Sequence, residues 1–193
     1  MIIRTSHPRS APRISAFGLA ALVITSCLLA TACGPDYATY EKYGISFQYP
    51  AGFTVVESGL DGGEPDETGG MVQVRSEGGE TRAFQVNWSQ TMIYGLELTL
   101  DNAFAGMQRA DQVAAVERGE LREGSKDDRL MLYQFYTVTT TAGTSARGVA
   151  AAFYYGENGT LFTLVTMNST VDGEDRVLED FEGYLDSFSY AAG

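Results

Sequence analysis

The sequence predicts an α+β fold, a central antiparallel sheet flanked by helices. Three observations predict it. Short stretches with apolar residues at every second position recur along the chain, and turns rich in glycine, asparagine and proline separate them. Two other stretches carry apolar residues at helical spacing instead.

Taken in order, "YGISFQYP", Tyr43 to Pro50, alternates Ile45, Phe47 and Tyr49 with Ser46 and Gln48, as a strand with one buried face does. Pro50 and Gly52 turn the chain into a second strand around Phe53 to Glu57, after which the glycine- and acid-rich Ser58 to Gly70 reads as a loop. "MVQVRS" and "RAFQVNWSQ" are two further strands, the second with Phe84, Val86 and Trp88 on one face. "LTLDNAFAGMQRADQVA" places Leu100, Phe104, Met107 and Ala114 on a helical stripe, with Asp101 expected in the first turn, where the helix dipole favours a carboxylate. "VERGELREG" alternates acids with arginines, the pattern of a solvated edge strand. "RLMLYQFYTVTTT" and "ARGVAAAFYY" read as long strands, and "GENG" as a hairpin turn into the strand "TLFTLVTMN". In "VDGEDRVLEDFEGYLDSFSY", Asp172 is the expected N-cap of a second helix whose apolar face is Val177 or Leu178, Phe181, Leu185 and Phe188. The predicted order is therefore ββββαββββα.

The first 32 residues differ from this. Arg4, Arg9 and Arg13 stand without an acid, and nineteen uncharged residues follow, Ile14 to Ala32, the layout of an export signal. A helix of that length reaches ~28 Å, enough for an uncleaved span. The glycine, serine, threonine and alanines that dilute it, and the small residues before Cys33, favour cleavage. "LATAC", Leu29 to Cys33, resembles the lipobox of bacterial lipoprotein precursors, whose cysteine receives a diacylglycerol thioether and becomes the mature N-terminus; sulfur is required because the thiolate is the nucleophile. "ITSC", Ile24 to Cys27, is a rival frame. Cutting there leaves the apolar "LLATA" at the start of the mature chain, whereas cutting before Cys33 exposes a polar tether. A disulfide does not fit, since one cysteine leaves with the signal. The expected organisation is a signal peptide over 1–32, a flexible tether over 33–40 and one domain over 41–190, lipid-anchored through Cys33 on the extracytoplasmic face of the cell membrane.

Of thirteen Lys+Arg and twenty-five Asp+Glu, three arginines and no acid fall in residues 1–32, so the remainder carries a formal charge of −15. Such a surface repels phosphate backbones and argues against nucleic acid.

With these elements in place, "YEKYGISFQYPAGF", Tyr40 to Phe53, resembles the opening of PsbP-type domains, the family of the extrinsic photosystem II protein: a Tyr-Gly-aromatic strand ends in Tyr-Pro, and a short turn presents an aromatic residue. The family often has tryptophan where Phe53 stands. "LDSF", Leu185 to Phe188, is similar to the family's Ser-Phe ending, and the resemblance covers most of residues 41–190. It implies a sheet flanked by helices and a non-enzymatic role in binding or stabilising larger complexes. It brings no catalytic residues, cofactor or metal. The short acidic tether, in place of the basic extension of the photosynthetic relatives, gives no support to a photosystem role.

The residues independently narrow enzymatic chemistry. The only histidine, His7, lies in the signal, so Ser-His-Asp, Cys-His and histidine-zinc sites are excluded from the mature chain. A Ser125–Lys126 pair falls in a polar turn. The alternative to a binding role is a small carboxylate-dependent hydrolase, with Glu117, Glu120 and Glu123 as candidates, although the interleaved Arg118 and Arg122 suit surface neutralisation. Glu57, Asp61, Glu64, Asp66 and Glu67 offer oxygens to a hard cation but lack EF-hand spacing, so a solvated loop is expected. Tyr37, Tyr40 and Tyr43 recur every third residue, either as an aromatic platform for a partner or as staples of an N-terminal segment. The expectation from sequence is a monomeric domain that takes no cofactor and binds an envelope protein partner.

Overall fold

The computed structural model describes residues 36–60, 62–77, 81–91, 94–156, 159–170 and 173–191. Cys27 and Cys33 lie outside these residues, as do Asp61 and Asp172. Asp36–Gly193 is one compact unit.

Among the described residues of the unit there are ten strands and two helices. The strands are β1 (Tyr37–Lys42), β2 (Ile45–Pro50), β3 (Thr54–Ser58), β4 (Gly69–Arg75) and β5 (Arg82–Ser89), then helix α1 (Leu96–Gln108). There follow β6 (Val113–Lys126), β7 (Arg129–Thr140), β8 (Ser145–Tyr155) and β9 (Thr160–Asn168), helix α2 (Glu174–Ser187) and β10 (Ser189–Tyr190). They form a seven-stranded sheet, β3-β4-β5-β9-β8-β7-β6, and a three-stranded sheet, β1-β2-β10. Every pairing is antiparallel. The α+β class thus holds, but the order is βββββαββββαβ. Two strands were not expected. Tyr37–Tyr40, read as tether, are the first part of β1, paired with β2 through Tyr40↔Phe47. β10 is only two residues long and closes onto Ile45 and Ser46 of β2.

Strand alternation sorts side chains to the two faces of the large sheet. One face carries Val72, Val74, Phe84, Val86, Trp88, Phe153, Phe162 and Leu164, all essentially inaccessible. They pack against the small sheet and α2, whose Val177, Phe181, Tyr184 and Leu185 are buried. Phe84 stacks on the Tyr184 ring at 4.3 Å and meets Phe47 edge-on at 5.1 Å, while Phe188 plugs against Phe162 at 5.2 Å. Rings in these offsets add ~0.5–1.5 kcal/mol per pair beyond area burial. α2 begins at Glu174 with Gly173 in the N-cap position and no side-chain cap.

The opposite face receives α1. Leu100 and Phe104 pack on Tyr136, Val138, Ala150 and Ala152. The alanines leave room for the helix, and at Gly148 an added Cβ would lie 1.8 Å from the Thr166 carbonyl oxygen and 2.8 Å from the Tyr136 ring. Tyr136, held there, donates its hydroxyl to that carbonyl at 2.5 Å. α1 ends at Gln108, so Ala114 belongs to β6 and not to the helical stripe. Asp101 lies beyond the first turn, where Glu97 is the acid. Among the described residues no helix is long and apolar enough to cross a membrane.

Candidate functional site

The site follows from where α1 does not reach. The helix packs on the part of the sheet formed by β6, β7 and β8, with Val165 of β9 at the margin of that contact, and stops short of β4 and β5. A trough of about 560 Å³ lies between the helix and these strands, walled by Ala103 and Met107 of α1 and floored by Ala83, Gln85, Asn87 and Thr163. Its volume falls in the range of ligand sites. Apart from the phenols of Tyr94 and Tyr136, no lining residue is ionisable, although the chain is strongly acidic.

Three carboxamides run across the floor. Gln73 of β4 stands directly opposite Gln85 of β5, and Asn87 opposite Thr163 of β9. Gln73 Nε2 donates to Gln85 Oε1 at 3.3 Å, Gln85 Nε2 to Asn87 Oδ1 at 3.0 Å, and Asn87 Nδ2 to the Thr163 carbonyl at 3.5 Å. Each side chain is half-buried and keeps donor or acceptor capacity beyond these bonds. A second cavity of about 500 Å³ shares Gln73, Ala83, Gln112 and Met167 with the first and ends at Thr54, Arg75 and Glu77. The two are one trough, with its charges at that end. At the other end Leu60 and Tyr94 are each 45% exposed. Below it the indole of Trp88 donates to the Asp66 carbonyl at 2.8 Å and stacks on Tyr43.

The residues singled out by sequence lie elsewhere. Glu117, Glu120 and Glu123 are exposed on the edge strand β6, and none lines the trough. Their arginine neighbours are occupied: Arg118 Nη2 donates to Asp101 Oδ1 at 2.7 Å and its guanidinium lies 4.4 Å from the Phe104 ring centre, while Arg122 pairs with Glu174 at 2.7 Å. Ser125 and Lys126 are consecutive in β6, so their side chains leave opposite faces, and the Lys126 ammonium sits 3.6 Å from Asp127. The alternative of a hydrolase with acids facing across a deep pocket finds no such pair in the trough.

In the acidic loop, Asp66 accepts from the Thr68 amide and hydroxyl and the Gly69 amide, and the Thr68 bonds hold its carboxyl below the usual range. Glu57 pairs with Lys42 at 2.8 Å and accepts from the Tyr43 hydroxyl at 3.2 Å. Among the described residues no three His, Cys, Asp or Glu converge as metal ligands. The three tyrosines do not form one platform. A three-residue step reverses the face in a strand, so Tyr40 is buried on Phe47 at 5.1 Å, Tyr43 sits in the turn on Trp88, and Tyr37 is 59% exposed.

No family model and no curated protein matches the sequence. Among solved structures, the chain is similar to the solution structure of cyanobacterial PsbP (CyanoP) from Synechocystis sp. PCC 6803, with a TM-score of 0.54 and 17% identity over 83% of this chain and 96% of that one. At that identity the likeness shows the fold, which is PsbP-like.

Proposed function

We propose that the chain is a non-enzymatic binding domain, lipid-anchored at Cys33 on the extracytoplasmic face of the membrane, and that it holds or stabilises an envelope protein partner through the trough beside α1. The observation that carries the reading is a carboxamide-floored trough, uncharged along the part beside α1, on a strongly acidic chain. Desolvating a charge there without a partner is costly, so the trough selects neutral groups. The PsbP-like fold, together with the binding role that the sequence resemblance implies, supports the same reading.

The test uses the membrane-bound protein in cells with a photo-crosslinking amino acid in place of Ala103. The expected outcome is one defined adduct that disappears when the crosslinker stands on exposed Glu120 instead. Labelling with an alkyne palmitate analogue tests the anchor: Cys33→Ala is expected to abolish the label and release the chain, and Cys27→Ala to keep both. Label that depends on Cys27 alone overturns the assignment to Cys33.

A further inference from the structure

The trough has a period as well as a chemistry. Gln85 and Asn87 are two residues apart on β5, so their backbone positions repeat at about 6.8 Å along the strand, while their carboxamides lean together, Gln85 Nε2 on Asn87 Oδ1 at 3.0 Å, into one polar ridge. From Ala83 to Ser89 the floor extends about 20 Å at the same rise per residue. A polypeptide laid extended along β5 repeats at that same spacing, because its backbone has the same geometry. Each carboxamide carries one acceptor and one two-proton donor, the complement of a peptide N–H and C=O. The floor is continuous between the two cavities, which share four lining residues, and it carries charge only at one end, at Arg75, Glu77 and Arg82. It therefore suits a linear segment better than a compact one, and a neutral segment better than a charged one. Ala83, Val165 and Met167 line the trough beside the amides and offer apolar contact to small side chains.

We propose that the occupant of the trough is an extended, uncharged stretch of about six residues of a partner polypeptide, recognised through its main chain by Gln73, Gln85 and Asn87. This rests on the binding role argued above and names what is bound.

The experiment pans a random heptapeptide display library against the immobilised chain starting at Gly34, which contains the whole compact unit Asp36–Gly193. Enriched peptides are expected to lack Asp, Glu, Lys and Arg over at least five consecutive positions. The best of them, made synthetically and followed by Trp88 fluorescence, is expected to lose affinity at least tenfold when backbone amides of one alternate set are N-methylated, and much less for the other set. Gln85→Leu with Asn87→Leu is expected to weaken binding by a similar factor. Ala103→Trp fills the trough from the helix side and is expected to abolish binding if the amide variant does not fold. Enrichment of charged peptides, or none, overturns the inference. So does binding insensitive to N-methylation, which nevertheless leaves the trough as a docking surface. Absence of both peptide binding and the Ala103 crosslink overturns the binding role itself.

Discussion

Tyr43 and Gly44 turn β1 into β2 with φ of 55° and 74°, and the Gly44 carbonyl accepts from the Ala191 amide at 2.8 Å, tying the C-terminus to the hairpin. A Cβ on Gly44 would stand 2.4 Å from the Ala191 carbonyl oxygen. Gly44→Ala thus combines an unfavourable φ, about 1–3 kcal/mol, with a backbone collision. Thermal unfolding is expected to shift down by several degrees, at about 2–4 °C per kcal/mol for a domain of this size. In the same hairpin the Lys42 ammonium bonded to Glu57 holds that carboxyl below its ordinary 4.5. A carboxyl depressed on folding adds stability that is fully present above the ordinary value and is lost as pH falls through the folded-state value. Asp66 has the same sign. Stability is expected to decline below about pH 4.5, and the Glu57→Gln, Asp66→Asn double variant is expected to flatten that acid limb in melts taken from pH 7 to pH 3. At this scale much was legible: the alternation of Ile45 and Phe47 and the shared face of Phe84, Val86 and Trp88 are seen as read. Whether Tyr37, Tyr40 and Tyr43 form a platform or staple their segment was not legible, because an i, i+3 spacing joins faces only on a helix; in the structure Tyr40 packs on Phe47 as a staple does.

The elements were legible where they bury one face and not where they bury almost nothing. β1 has a single buried residue, Tyr40, in six, so its pattern carries no strand period. The apolar stripe of α1 runs on in sequence to Ala114, and no glycine or proline follows the helix end at Gln108; what stops it is the turn in which the Ala110 amide bonds the Met107 carbonyl and the Val113 amide bonds the Ala110 carbonyl. The helix has Gly95 as N-cap without a side-chain bond, so it depends on its buried face. Phe104, 3% exposed, is the centre of that face, between Tyr136 and the Arg118 guanidinium. Phe104→Ala is expected to cost about 3–5 kcal/mol in denaturant unfolding. Arg118→Ala removes a half-exposed ion pair, a cation–ring contact and two hydrogen bonds to the Oε1 of buried Gln134, and is expected to cost about 1–3 kcal/mol, mostly through that stranded acceptor. If the two costs were equal, the charge and not the packing would hold α1 on the sheet.

At the scale of the whole molecule, the decisive pairing is β5 with β9, Ala83↔Met167 through Ser89↔Leu161, which joins the β3-β4-β5 and β9-β8-β7-β6 ribbons. Periodicity announces β5 and β9 but not this contact across some eighty residues, so Gln73, Gln85 and Asn87 look in sequence like the ordinary polar side of two strands. Only the register and the offset of α1 turn them into a floor. The same scale governs charge. Six ion pairs are present among the described residues, mostly with exposed side chains, as in Arg176 and Glu179 at 70% and 69%. Such pairs contribute about 0–1 kcal/mol each, and salt weakens them. Against them stands the repulsion of the −15 formal charge beyond residue 32. On α2, exposed Asp175, Glu182 and Asp186 make no ion pair among the described residues, beside three acids that do. Going from about 0.01 M to about 1 M salt shortens the screening length from roughly 30 Å to roughly 3 Å. That removes repulsion between acids many residues apart, while contacts near 3 Å keep part of their attraction. The chain starting at Gly34 is therefore expected to melt higher as NaCl rises. Replacing Asp175, Glu182 and Asp186 by their amides is expected to raise the low-salt melting temperature and shrink the salt increment. A melting temperature that falls with salt would mean that the six pairs outweigh the net charge.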